Sequence, residues 1–273
     1  MSTQKTFDIN DNFREMADYF HKYGYIQIKN AVEHETLFKL KSDLRNLNNK
    51  NNRPNIGDKR HIVHKCFFEN SPTMVEYIST SKLCDFMQYI IADVPTSHQG
   101  GNSLTAHLIH NNAFTVPAGG RGQAPSWHTD DPLQNIILPQ GMKLPDSVKL
   151  PVMVCTAMIW LSDCEYPDNG PTYVVPSSHR FGTLLDSVLA DKLGIPACGK
   201  AGTAVLINNQ LWHRGCENRS LIPRETVQIT FGRRIIGHKF KSIMNYHMPD
   251  HVTRNKSDKV KERFGFLQGG AYS

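Results

Sequence analysis

A chain of 273 residues, 39% hydrophobic and with a net charge of +6, can bury a sizeable core and is expected to form a single domain over residues 1–273. No stretch approaches eighteen consecutive apolar residues, and the opening residues lead into no apolar signal core, so a soluble, unexported, cytoplasmic protein without membrane association is expected. The basic residues, clustered at Lys239 to Lys241 and Arg254 to Arg263, alternate with acidic ones and form no dense stripe, which argues against a nucleic-acid partner. The six cysteines contain no C-x-x-C pair and read as free thiols rather than a disulfide framework or zinc knuckle.

In chain order, Asp11 to His21 spaces Phe13, Met16, Ala17 and Phe20 at three and four residues. This predicts an amphipathic helix capped by Asn10 or Asp11, with Gly24 just past its end. Tyr25 to Ile28 reads as a short strand, and Glu33 to about Leu47 as a helix with Leu37, Leu40 and Leu44 on one face. Asn46 to Lys59, rich in Asn, Lys and Pro, reads as a loop. Arg60, His61 and His64 follow as polar residues that can hang over a pocket. Ser71 to Ala92 reads as helical.

From Ser103 the period changes to two, so Leu104, Ala106 and Leu108 face away from Thr105, His107 and Ile109. The Gly- and Pro-containing loop Pro117 to Pro125 carries Arg121. Next comes Ser126-Trp127-His128-Thr129-Asp130-Asp131-Pro132, which reads as extended and projects His128 and Asp130 from one face, with Thr129 and Asp131 on the other. One metal ion can take both side chains, although a lone His-x-Asp is a weak signal. Pro139 to Pro151 is a loop. Val152 to Leu161 is an apolar strand, Asp168-Asn169-Gly170 a tight turn, Thr172 to Val175 a strand, and Pro176 to His179 a corner.

The apolar run Thr203 to Ile207 precedes Leu211-Trp212-His213-Arg214-Gly215, and Val227 to Phe231 forms the returning strand. His213 can supply a third ligand. Two imidazoles and one carboxylate leave coordination positions open, an arrangement that suits non-haem Fe(II) with a co-substrate and O2. Arg224 can hold a distal carboxylate in two parallel hydrogen bonds. The same three ligands suit zinc, so a cupin-like metal hydrolase or binding protein stays open on the ligands alone.

His128-x-Asp130, the stretch Asp168 to His179, and His213 followed eleven residues later by Arg224 together resemble the phytanoyl-CoA dioxygenase family of Fe(II)/2-oxoglutarate oxygenases. Phe20 to Ile28 is similar to that family's opening helix and first strand. The resemblance spans about residues 12 to 236. It implies a mainly β double-stranded β-helix (a cupin-like jelly roll) with flanking helices, and Fe(II), 2-oxoglutarate and O2 as cofactors. Metal ligation falls to His128, Asp130 and His213, and co-substrate binding to Arg224, with Thr129 and His107 as further candidate contacts. His179 is implied to close its corner outside the metal's ligands. A carboxylate at Asp130 favours hydroxylation with release of succinate and CO2 over halogenation, with desaturation or ring chemistry on a natural product as alternatives. Many members carry a hydroxyl residue two positions after the distal His, where this chain has Gly215. The basic balance, with Arg60, Arg121 and His107 as pocket cations, leans toward a small polar or anionic metabolite such as an organophosphonate.

Overall fold

The computed structural model describes residues 4–50, 60–92, 106–122, 124–131, 137–139, 141–240 and 245–267. Strand β1 (Thr6–Asp8) leads into helix α1 (Phe13–Tyr23), strand β2 (Tyr25–Lys29) and helix α2 (His34–Lys50). Then come β3 (Ile62–Lys65), α3 (Pro72–Thr80), α4 (Lys82–Ala92), β4 (Ala106–Val116) and β5 (Val154–Trp160). The chain continues through β6 (Tyr173–Val174), α5 (Ser187–Leu193), β7 (Ile195–Pro196), β8 (Ala204–Asn208), β9 (His213–Arg214) and β10 (Arg224–Arg233), closing with α6 (Asp250–Thr253) and α7 (Asp258–Arg263).

Seven strands form one sheet in the order β1-β2-β8-β5-β10-β4-β3, and three form a smaller one, β7-β6-β9. Only β1 and β2 pair in parallel among these strands. The two sheets face each other as a jelly roll, and strand alternation divides the side chains into layers. Cys155, Ala157, Ile159, Leu206, Val227, Ile229 and Phe231 face the helices and join Met16, Phe20, Leu40, Leu44 and Phe86 in the main core. Their neighbours in sequence point the other way, so Trp160, Val205 and Ile207 meet Val174 and Leu211 between the sheets. Trp127, Val175, Ala190 and Trp212 cluster on the far side of the small sheet.

Local chemistry explains most boundaries. The α1 cap is Asn12, two residues beyond Asn10 and one beyond Asp11, because its side-chain oxygen accepts from Arg14 N and Glu15 N. Gly24 at φ 73° ends that helix, donating to Phe20 O, in a conformation that burdens residues with a Cβ. Helix α2 runs to Lys50, past the expected end near Leu47, because Asn48 is buried and donates to Thr115 Oγ1 at 3.0 Å while its Oδ1 accepts from His64 Nε2 at 2.8 Å. The rest of the expected loop, 51–59, lies outside the described residues, as do 103–105. Ser71 caps α3 through Met74 N, and the predicted helix 71–92 is broken at Ser81, which is extended. Residues 62–65, including the His64 expected to hang over a pocket, form β3 on the edge of β4.

The expected alternation along residues 104–109 changes parity inside β4. Its pairing with β10 shifts register between Thr230 and Phe231, leaving Ile109 as a bulge. Beyond the bulge His110, Asn112 and Phe114 lie opposite Thr230, Gln228 and Thr226, on the face that looks between the sheets. No helix among the described residues is long and apolar enough to cross a membrane.

Candidate active site

Backbone pairing assembles the site. His128 N donates to His213 O and His213 N donates to His128 O, both at 2.9 Å, so the two residues are directly opposed and their side chains share a face. The rings sit side by side, with centroids 4.3 Å apart. The adjacent residues Trp127 and Trp212 face the other way, into the outer cluster. There Trp127 Nε1 donates to Asp191 at 2.8 Å, and Arg214 pairs with Asp191 at 3.2 Å while lying over the Trp127 ring. The segment around His128 makes an isolated bridge rather than a strand. Asp130 is placed by its own backbone N–H, which donates to Asn209 O at 3.1 Å.

Potential ligand atoms of His128, Asp130 and His213 all lie within 4.8 Å of one another. The donor set fits a divalent metal in its tautomers as well as its spacing. Each imidazole donates from Nδ1 to the backbone carbonyl two residues earlier, His128 to Ser126 O and His213 to Leu211 O, both at 2.9 Å. In the neutral ring that leaves each Nε2 free to face a metal; burial lowers the His213 pKa, but the hydrogen bond and charge of Asp130 outweigh it and raise the group above its usual range. His213 Nε2 is 3.6 Å from Asp130 Oδ1. Burial pushes the Asp130 carboxyl up, but the hydrogen bond and charge of His213, helped by His128 and Lys239, outweigh it and hold the group below its usual range. Burial and the neighbouring His213 together depress His128, keeping it neutral.

A cleft of about 120 Å³ runs from this cluster between the sheets, lined among others by Thr156, Thr172, Gly215, Arg224, Thr226 and Gln228. Arg224 stands at the start of β10, opposite Val116, with its guanidinium 5.8 Å from the Trp160 ring. It is only 7% exposed, and its Nε has no hydrogen-bond partner among the described residues. Burial lowers its pKa, and the groups that partly offset this are the thiols Cys164 and Cys216, with no carboxylate among them. A buried cation without a counter-charge is costly. The site therefore fits an anion arriving in the cleft, as the distal carboxylate of a 2-oxo diacid would.

The other predicted site residues lie elsewhere. His107, before the bulge, is buried away from the cleft, its Nε2 2.9 Å from Ile236 O, and does not line the cleft. Thr129 Oγ1 donates to Asp131 O at 2.8 Å and stabilises the turn that carries Asp130. Arg60 and Arg121 are exposed and neither lines the cleft. His179 Nε2 meets His21 O at 3.1 Å, which ties its corner to the end of α1.

Near the metal cluster lie Asp131, read from the sequence as a structural residue on the opposite strand face, and His110, read as pocket-lining or hydrogen-bonded. Asp131 accepts from Asn209 Nδ2 at 2.8 Å and from Lys239 Nζ at 3.0 Å. His110 lies close enough to feel both Lys239 and Asp130. Thr226 and Gln228 follow Arg224 at even spacing, and His110 is turned to this face by the bulge.

Two imidazoles and a carboxylate at the open end of a jelly roll, backed by a buried arginine with no carboxylate partner among the described residues, make a candidate mononuclear metal site whose donor set suits non-haem iron. The comparisons place the chain more closely: the phytanoyl-CoA dioxygenase (PhyH) family model matches residues 20–226, and the chain belongs to that family. An ectoine dioxygenase of Nocardia farcinica (strain IFM 10152) is 26% identical over 149 residues, which is 45% of this chain and 47% of that protein, so the match spans about half of the relative's length. The crystal structure of EctD from S. alaskensis with 2-oxoglutarate and 5-hydroxyectoine superposes with a TM-score of 0.61 at 20% identity, covering 90% of this chain and 85% of that one. HygX from Streptomyces hygroscopicus, with nickel and 2-oxoglutarate bound, gives 0.60 at 15% identity over 87% and 96%. At these identities the two structures bear on the fold.

Proposed function

We propose that the chain is a single-domain, cytoplasmic Fe(II)/2-oxoglutarate-dependent dioxygenase that hydroxylates an unactivated C–H bond of a small polar or anionic metabolite. Family membership supports the reading, and one observation carries it: Arg224, buried and without a carboxylate partner, shares a cleft with the three converging ligand side chains. His128, Asp130 and His213 would hold Fe(II), and Arg224 the distal carboxylate of 2-oxoglutarate. When bound, these groups and O2 supply the oxidation of the substrate C–H while 2-oxoglutarate is decarboxylated to succinate.

The protein's own part is positioning and exclusion of water. The paired backbone of residues 128 and 213 fixes the spacing of the two imidazoles, and the Ser126 and Leu211 carbonyls fix their tautomers. The apolar walls Phe114, Met158 and Ile207 keep the region between metal and arginine poor in water, which strengthens the charge pairing. Asp130, with its side chain 29% exposed, marks the open side. Lys239 and His110 flank that side and support a polar or anionic substrate, in place of the Arg60 and Arg121 expected from sequence. An organophosphonate is one such substrate.

The test is anaerobic loading with Fe(II) followed by optical titration with 2-oxoglutarate. A visible charge-transfer band should appear in the wild type, vanish in His213→Ala, and require at least tenfold more 2-oxoglutarate in Arg224→Ala, on the order of a lost charge-assisted pair. Absence of the band from the wild type, together with tight zinc binding, would overturn the reading in favour of hydrolysis or ligand storage.

A further inference from the structure

The outer side of the small sheet carries an apolar surface that the proposed reaction does not use. Ile137 and Leu184 are each 83% exposed and Val188 81%, with Met142, Leu189 and Leu193 exposed as well. Ile137, Met142, Leu184 and Leu189 line one groove of about 970 Å³ together with Trp212. Leu193 follows Leu189 one turn along α5, so the apolar face continues past the groove. At roughly 100 Å² for a fully exposed aliphatic side chain, these six residues present about 400 Å² of apolar surface. A contiguous patch of that size marks an interaction site more often than chance exposure does. A standard interface covers about 800 Å² on each partner, of which about 65% is apolar in homodimers. The patch supplies most of that apolar share.

The charges on this surface say what covers it. Asp186 caps the start of α5, its Oδ1 accepting from Val188 N and Leu189 N, and Lys192 stands in the last turn. Neither forms an ion pair with another described residue. A face that is acidic at one end, basic at the other and apolar between is complementary to its own copy turned round. We propose that a second copy of this chain covers the groove, in a two-fold dimer whose α5 helices pack antiparallel. An axis beside Leu189 sets Asp186 against the partner's Lys192 and Leu185 against the partner's Leu193, and the symmetry makes each contact twice. A lipid surface fits less well, because a helix lying on lipid carries Lys and Arg along its polar face, whereas this one carries Asp186 and Asp191 with Lys192. The dimer covers Trp212, whose neighbour His213 faces the metal site from the other side of the small sheet.

Sedimentation equilibrium of the full chain across the micromolar range tests this. The wild type should show twice the mass of one chain and dissociate on dilution. Leu184→Glu combined with Val188→Glu should show the mass of one chain while keeping the wild-type circular dichroism spectrum, because both side chains are exposed in the single chain. Lys192→Glu sets like charges opposite each other across the axis and should weaken the dimer at least tenfold. Adding Asp186→Asn removes the opposing charge, keeps a side-chain oxygen for the cap, and should recover most of that loss. A single-chain mass for the wild type throughout the range would overturn the proposal. So would a dimer that survives Leu184→Glu with Val188→Glu, or a Lys192→Glu defect that Asp186→Asn leaves untouched. Cosedimentation of a single-chain wild type with vesicles of phosphatidylcholine and phosphatidylglycerol would overturn it too, and would give the surface to lipid.

Discussion

Asp131, the neighbour of a candidate metal ligand, shows how much of the site's geometry depends on residues that cannot reach the metal. Its two carboxylate oxygens take Asn209 Nδ2 and Lys239 Nζ, and its carbonyl accepts from Thr129 Oγ1 and Gln210 Nε2. These bonds join the turn carrying Asp130 to the end of β8 and to the segment after β10. Removing them frees that turn and leaves the Lys239 charge facing Asp130 alone, which weakens the carboxylate as a ligand. Replacement of residues that orient a metal's ligands typically lowers metal affinity by about 10–100-fold. Asp131→Ala should therefore weaken Fe(II) or Mn(II) binding by about tenfold or more in an anaerobic metal titration, with secondary structure retained by circular dichroism. His107→Gln, at a position bonded to Ile236 O and away from the cleft, should leave metal affinity within about twofold. Equal affinities for Asp131→Ala and wild type would show that the turn holds its shape without these ties.

At the scale of elements, the junction between α1, β2 and the corner after β6 sets where the small sheet sits. Ser177 N donates to Tyr23 O at 2.7 Å, Trp212 N donates to Ser178 Oγ at 2.7 Å, and His179 is buried against His21 O, with burial pushing its pKa down to about 4. The ordinary value of 6.5 applies once the chain unfolds, so unfolding takes up a proton between these limits. The stabilisation is complete above pH 6.5, declines as pH falls toward 4, and levels off below that. It amounts to on the order of 3 kcal/mol. Urea denaturation from pH 7 to pH 4.5 should show a steeper loss of stability in wild type than in His179→Gln; parallel curves would mean the imidazole protonates freely in the fold. Much of this junction was legible in sequence, because α1 declares itself through its apolar spacing and Gly24, and the Pro176 to His179 corner through its turn residues. What sequence could not supply comes from long-range partners. Asn48 extends α2 because Thr115 and His64 meet it, and β3 exists because β4 offers an edge. The parity of β4 depends on a bulge that Ile109 does not announce. The clustering of His128, Asp130 and His213 was readable because short local motifs place them, whereas Arg60 and Arg121 were chosen by charge alone, which carries no information about which face a residue occupies.

Across the whole molecule, the stability of the protein without its small molecules and its affinity for them are linked. The helical layer and the large sheet form a continuous apolar core, while the space between the sheets keeps a buried guanidinium and three converging ligand side chains. The costs of those groups are borne by the core in the free protein and relieved on binding. A ligand that binds only the folded state adds RT ln(1 + [L]/Kd), about 2.7 kcal/mol at one hundred times Kd. For a chain of this size that is a rise in Tm of roughly 5–11 °C, at about 2–4 °C per kcal/mol. Mn(II) in place of Fe(II) avoids oxidation during the measurement. Mn(II) alone should raise Tm of the wild type and of Arg224→Ala alike. Adding 2-oxoglutarate should raise it further in the wild type and much less in Arg224→Ala, and neither addition should shift His213→Ala appreciably. A diacid effect that persists in Arg224→Ala would place the carboxylate elsewhere and remove the reason for burying an unpaired cation between the sheets.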